Sequence, residues 1–98
     1  MAKADAIMMN AKDNVVTAVH GAVKDQEVKY YMGSTICSMI VKEEIPPCHK
    51  IAITDIKKGD HIIKYGEIIG GAMQDIPAGC WVSHLNIESL PRDYAGEL

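Results

Sequence analysis

Cys48-His49-Lys50 puts a thiol, an imidazole and an ammonium at successive positions directly behind Pro46-Pro47. Each group has a chemical use. An imidazole carries a proton or ligates a metal near neutral pH. An ammonium is a point charge that suits a carboxylate. A thiolate can hold a metal. The prolines restrict the backbone, so these side chains leave a stiff segment. The structural alternatives are a small packed cysteine and a His-Lys pair on surface or core duty. A second pair, His84 and Asn86, stands two residues apart near the end of the last predicted strand. Alternation would place both on one face, as a shared polar site or as the exposed side of a half-buried strand. His20 and His61 read as surface residues, and Trp81 as a core anchor. No complete Ser-His-Asp or Cys-His constellation is visible.

The elements that must position this chemistry come from a repeated phrase. Asp55-Ile56-Lys57-Lys58-Gly59-Asp60-His61-Ile62 recurs as Asp75-Ile76-Pro77-Ala78-Gly79-Cys80-Trp81-Val82. A third copy, Glu44-Ile45-Pro46-Pro47-Cys48-His49-Lys50-Ile51, carries Cys48 where the others have glycine. Glycine closes such a turn because it takes positive φ without a Cβ clash. The isoleucine should anchor each turn in the core, and the acid should cap its own turn in Asx fashion. Most of the phrase is therefore scaffold, and the copy that departs from it is the place to look for function.

Alternation and turn residues predict short strands over 14–19, 27–31, 35–41, 49–54, 61–65, 67–69 and 79–87. The 35–41 strand is apolar enough to be buried on both faces. In 49–54, His49, Ile51 and Ile53 share one face, and Lys50, Ala52 and Thr54 the other. Lys42-Glu43-Glu44 is a solvated charge run. Gly66 to Gly71 is a strand bend rather than a dinucleotide loop, since no helix pattern follows it. The expected architecture is one compact all-β domain over 13–90, with an irregular or helical lead at 1–12 and a loose tail at 91–98.

Composition narrows the function classes. The chain has 98 residues, is 48% apolar and contains no phenylalanine, so Ile, Val and Met must build the core. The bias toward β-branched residues favours strands. The formal charge is −3 and no basic stripe stands out, which argues against nucleic acid as a partner. No apolar run approaches the ~20 residues of a membrane span, and the N-terminus lacks a signal-peptide core. The cysteines number three, with no C-x-x-C spacing, so neither a disulfide framework nor a structural zinc is expected, and a reduced, cytoplasmic setting is.

The ordered set His49-Lys50-Ile51-Ala52-Ile53, Asp55-Ile56-Lys57-Lys58-Gly59, Ile63-Lys64-Tyr65-Gly66 with Ile69-Gly70, and Asp75-Ile76-Pro77-Ala78-Gly79-Cys80-Trp81-Val82 with Asn86 resembles the N-terminal SAF-type domain of the altronate/galactarate dehydratase family. The likeness is strongest over 44–87 and compatible over 13–43. It implies a β-clip, a small barrel-like all-β domain. It implies a metal-dependent hydroxy-acid lyase in which this chain is the small subunit, inactive alone, beside a large catalytic subunit. A divalent metal (iron, or manganese, magnesium or calcium) would be held mainly by that partner, with His49 as a ligand from this side. His49 and Lys50 would be the catalytic contributors, and His84 and Asn86 would bind a small anionic hydroxy acid. Self-association is left open. The alternatives are the small subunit of a sulfolactate sulfo-lyase, a fragment of a fused enzyme, and a non-enzymatic β-clip binding module. Two departures stand out. The family often ends its last strand His-x-His-Asn, where this chain has Ser83-His84-Leu85-Asn86, and its glycine before His-Lys is Cys48.

Overall fold

The glycine position of the repeated phrase adopts a left-handed backbone in all three copies, with φ of 91° at Gly59, 90° at Gly79 and 65° at Cys48. The chain is described over residues 4–88 by a computed structural model. Those residues form strands β1 (Ala6–Ile7), β2 (Val15–Ala18), β3 (Glu27–Met32), β4 (Thr35–Ile40), β5 (His49–Ala52), β6 (His61–Lys64), β7 (Glu67–Ala72), β8 (Trp81–Val82) and β9 (Ile87–Glu88), with no helix among them. One sheet runs β1-β2-β5-β8, a second is the β3-β4 hairpin, and a third runs β6-β7-β9. Every pairing is antiparallel. The fold is all-β, as expected.

The turns work in pairs. Ile56 and Ile76 exchange backbone bonds of 2.9 and 2.7 Å, and Ala22 and Ile45 do the same at 2.9 and 2.8 Å. Ala22 thereby reveals a fourth copy, Gly21-Ala22-Val23-Lys24-Asp25-Gln26-Glu27-Val28. Its acid is replaced by Gly21, and Asp25 occupies the glycine position with φ 72°, so the acid–isoleucine–glycine pattern does not find it. The N–H at this position is satisfied alike in every copy: Asp25 to Val41 O at 2.7 Å, Cys48 to Ala18 O at 2.7 Å, Gly59 to Ala72 O at 2.9 Å, and Gly79 to Ala52 O at 2.8 Å. Each copy ends on a fully buried β-branched residue: Val28, Ile51, Ile62 or Val82.

Each pair of turns closes one core. Ala22, Val28, Ile45 and Ile51 lie in the first, with Val16 and Ala18. Ile56, Ile62, Ile76 and Val82 lie in the second, with Val15 and Ala52. The β1-β2-β5-β8 sheet stands between them, because alternation sends Val16 and Ile51 one way and Val15 and Ala52 the other. Burial of the turn isoleucines bears out their anchoring role.

Four expectations are corrected. The acids do not cap their own turns. Asp75 Oδ1 accepts from Lys58 N at 2.8 Å and Asp55 Oδ1 from Ala78 N at 2.9 Å, so each turn is capped by its partner. The lead is neither helical nor wholly irregular: Ala6 and Ile7 pair with Ala18 and Thr17, which brings Ala6 into the first core. β4 is not buried on both faces. It pairs with β3 and forms the outer half of a hairpin, leaving Ile36 42% and Ile40 52% exposed. The last strand is split into β8 and β9, since Asn86 N and Ile87 N both turn back to Ser83 O at 3.0 Å. The 91–98 tail and the end of the 13–90 domain lie outside the described residues.

Candidate functional site

In two of the four turns, the side chain at the sixth position caps the third position's N–H. Asp60 Oδ2 accepts from Lys57 N, and Gln26 Oε1 from Val23 N, each at 3.0 Å. Pro46 has no N–H to cap, so position 49 is released from this duty. The fourth position is also altered. Pro47 has no N–H for a partner's acid to cap, and the partner turn has Gly21 where that acid would be. A Cβ on Gly21 would meet Ile45 O at 2.6 Å and Pro47 N at 3.0 Å. At both positions the prolines leave no N–H to cap, and a histidine and a bare glycine stand where Asp60 and Gln26, and Asp55 and Asp75, cap other turns.

The freed His49 is half-buried at the start of β5 and meets Trp81 of β8. Trp81 Nε1 donates to His49 Nδ1 at 3.1 Å, with the rings edge to face at 78° and centroids 5.3 Å apart. Trp81 is held in turn by its backbone N–H, which donates to Glu43 Oε2 at 3.0 Å. An indole can only donate, so Nδ1 must present a lone pair and a ring proton belongs on Nε2. The pair leaves His49 as a positioned N–H donor. Glu43, read from sequence as part of a solvated run, has a defined partner here.

Lys50 points to the other side of the sheet. It lies opposite Thr17 on β2 and Val82 on β8. Its ammonium is pushed below the usual lysine range, first by burial and then by Lys64 nearby. Lys64 in turn lies over the Tyr65 ring at 4.9 Å. The buried Thr17 Oγ1 has no hydrogen-bond partner.

Asn86 is occupied in the turn between β8 and β9. Its Oδ1 accepts from Ser83 N at 2.8 Å and its Nδ2 donates to Trp81 O at 2.7 Å. His84 is exposed at that turn. The expectation that His84 and Asn86 share a strand face is overturned with the strand itself. Asn86 reaches the His49 neighbourhood only through the backbone of Trp81, and Lys50 lies across the sheet.

With this geometry in place, comparison with known proteins is decisive. Residues 4–90 match the altronate/galactarate dehydratase SAF domain. The chain belongs to this family. It is 36% identical over 83 residues to an altronate dehydratase of Bacillus subtilis, covering 85% of this chain and 15% of that protein. It is 37% identical over 76 residues to an altronate dehydratase of Escherichia coli, covering 78% of this chain and 14% of that protein. A galactarate dehydratase (L-threo-forming) of E. coli is 50% identical over 40 residues, covering 41% of this chain and 8% of that protein. The chain therefore spans about one seventh of the altronate dehydratases it matches.

No three His, Cys, Asp or Glu side chains among the described residues converge on a metal position. His49 uses Nδ1 as an acceptor, so its Nε2 carries a proton rather than a free lone pair. This arrangement does not suit His49 to metal ligation. Cys37, Cys48 and Cys80 are free thiols. Burial pushes the Cys80 thiol up, and the Glu43 carboxylate adds to the effect. Among the described residues no helix is long and apolar enough to cross a membrane.

Sequence reasoning singles out His49 and Lys50 but misses the company they keep. Trp81 was a core anchor, Lys64 part of a motif, and Thr17 an unremarked strand residue. Only strand pairing brings them to the two sides of β5. The nearest available signal was the Pro46-Pro47 pair, which marks the turn whose capping positions fall vacant.

Proposed function

We propose that this SAF domain is the accessory, substrate-binding part of a sugar-acid dehydratase, inactive alone and completed by a catalytic chain or domain. The reaction is a β-elimination. A base on the catalytic part takes the proton next to the substrate carboxylate, the C–O bond to the neighbouring hydroxyl breaks, and that hydroxyl takes up a proton from an acid on the catalytic part and leaves as water while an enol forms. The divalent metal belongs to the catalytic part and would polarise the substrate there. The residues of this chain bind and orient. His49 donates Nε2–H to a substrate oxygen, while Lys50, on the opposite side of the sheet, supplies charge for a carboxylate at a separate position.

The observation that carries this reading is the Trp81–His49 bond in a domain of dehydratase ancestry. It gives the histidine one tautomer before substrate arrives, and preorganised donors act more strongly than ones that must reorient.

The complete enzyme, this chain with its catalytic counterpart, is to be assayed on altronate, galactarate and sulfolactate. The expected result is turnover of a sugar acid, none by this chain alone, and a kcat/KM lowered about tenfold or more by His49→Ala. Full activity in both His49→Ala and Lys50→Ala would sink the proposal. Elimination from sulfolactate alone would reassign the substrate to the sulfonate class. Stable sugar-acid binding with no catalytic counterpart recoverable would favour a free-standing binding module.

A further inference from the structure

Lys50, Thr17 and Lys64 come from three strands and emerge on the same side of the molecule. Each stands two residues along its strand from a buried member of the second core: Lys50 from Ala52, Thr17 from Val15, and Lys64 from Ile62. Strand alternation points Thr17 and Lys50 toward that core and its rim, and Lys64, beyond the register shift of β6 and β7 at Ile62/Ile63, lies close enough to act on the Lys50 ammonium. Thr17 and Lys50 are direct cross-strand partners. Asn14 straps β6 to the start of β2, since its side chain accepts from Ile63 N at 2.8 Å and donates to His61 O at 2.9 Å. These side-chain bonds fix β6, which carries Lys64, against the start of β2.

Two features of this rim are unexplained by folding. The Thr17 hydroxyl is buried and unpartnered, although buried polar groups are nearly always paired. The two ammonium groups are close enough to repel, with Lys64 pushing Lys50 below its usual range. No carboxylate pairs with either lysine among the described residues. The nearby buried acid, Asp13, is already committed: it accepts from Gly66 N at 2.8 Å, Tyr65 N at 3.1 Å and Asn10 N at 3.0 Å. A hydroxyl wanting a partner and two cations wanting a counter-charge are complementary to one kind of ligand.

We infer that Lys50, Lys64 and Thr17 form a carboxylate-binding site for a small hydroxy acid, on the side of the β1-β2-β5-β8 sheet away from His49. Each ammonium takes one carboxylate oxygen, and the Thr17 hydroxyl donates to one of them. Charge-assisted bonds of this kind are the strong ones. The Tyr65 ring under Lys64 limits where that cation can go. The choice of a hydroxy acid rests on the proposed dehydratase reading; the anion site itself rests on the geometry.

The test is an NMR titration of the full 98-residue chain, with its lysine side chains labelled, against galactarate, galactitol and sulfate. Galactarate is expected to move the Lys50 and Lys64 signals together and saturably, while galactitol leaves them in place. Lys50→Met and Lys64→Gln should each weaken binding about tenfold. Thr17→Val should weaken it severalfold without lowering Tm, because the variant removes an unpaired buried hydroxyl. That result separates a ligand-facing threonine from a structural one. The site is overturned if the lysines do not respond to millimolar galactarate, or if sulfate moves them equally. It is also overturned if Thr17→Val lowers Tm and leaves affinity unchanged. Movement seen only on adding the catalytic chain would assign the carboxylate to a side chain of that chain and remove the small-ligand site. Turnover is a separate measurement: binding without dehydration would leave this site standing and remove the catalytic reading.

Discussion

The indole of Trp81 donates to Nδ1 of His49 across 3.1 Å, linking the seventh position of one turn phrase to the sixth position of another. The two residues are 32 apart in sequence, yet the bond decides which ring nitrogen of His49 carries the proton. Trp81→Phe keeps an aromatic ring in the first core's margin and deletes the donor. The expected outcome is a shift of the His49 nitrogen signals from the Nε2–H form toward a mixture, read by ¹⁵N NMR, with a stability loss of about 1 kcal/mol. Unchanged nitrogen signals would mean that the indole does not set the tautomer.

The reciprocal caps at Asp55 and Asp75 make a second prediction. Each carboxylate serves the other's turn across the Ile56–Ile76 bridge. Asp55→Ala and Asp75→Ala should each cost about 1 kcal/mol in urea unfolding, while Asn, which keeps an acceptor oxygen, should restore most of it. The double alanine variant should show non-additive loss, because both caps steady one bridge. Strict additivity would show that the turns act independently.

Gly59 and Gly79 share almost the same φ, 91° and 90°, but different surroundings. A Cβ at Gly59 meets nothing within 4 Å, whereas at Gly79 it would meet Ile40 O at 2.4 Å. Gly59→Ala should therefore cost only the backbone penalty, about 1–2 kcal/mol. Gly79→Ala must also displace the β4 backbone and should cost at least twice as much by the same urea assay. Equal losses would show that the close approach relaxes freely.

Lys50 gives a pH dependence with a definite sign. Its folded-state pKa lies below the usual 10.5 because burial and Lys64 disfavour the charged form. The native state therefore releases this proton before the unfolded chain does. Lys50 opposes folding in full below its native pKa, and the opposition fades as pH rises toward 10.5. Tyr30 and Cys80 are shifted upward and titrate in the opposite sense, so the comparison must be with Lys50→Met. The variant should be more stable than the parent at neutral pH, with the advantage shrinking on the alkaline side. An advantage that grows with pH would show that Lys50 is stabilised rather than strained.

Much of the architecture was legible because turn chemistry is local. A glycine before a β-branched residue, an acid before an isoleucine and prolines behind them report on backbone conformations that each segment adopts for its own reasons. Those signals located three of the four turns, their core anchors, most strands and the His49-Lys50 segment. The fourth turn was hidden because Asp25 tolerates positive φ in place of glycine, and because Gly21 carries no acid where Pro47 offers no N–H. The break between β8 and β9 was hidden because alternation continues through Ser83 to Asn86. The Asn86 side chain satisfies the backbone there, and a hydrophobicity pattern does not register that kind of bond.

The residues themselves determined an all-β chain of repeated turns, family membership, and a stiff copy with an imidazole and an ammonium at its exit. Tertiary structure decided how those groups are used. Adjacent positions on a strand face opposite ways, so pairing β5 with β2 and β8 carried His49 to Trp81 at one core and Lys50 to Thr17 and Lys64 at the other. Side-chain partners across strands are set by register over long sequence separations, and register is a property of the assembled sheet.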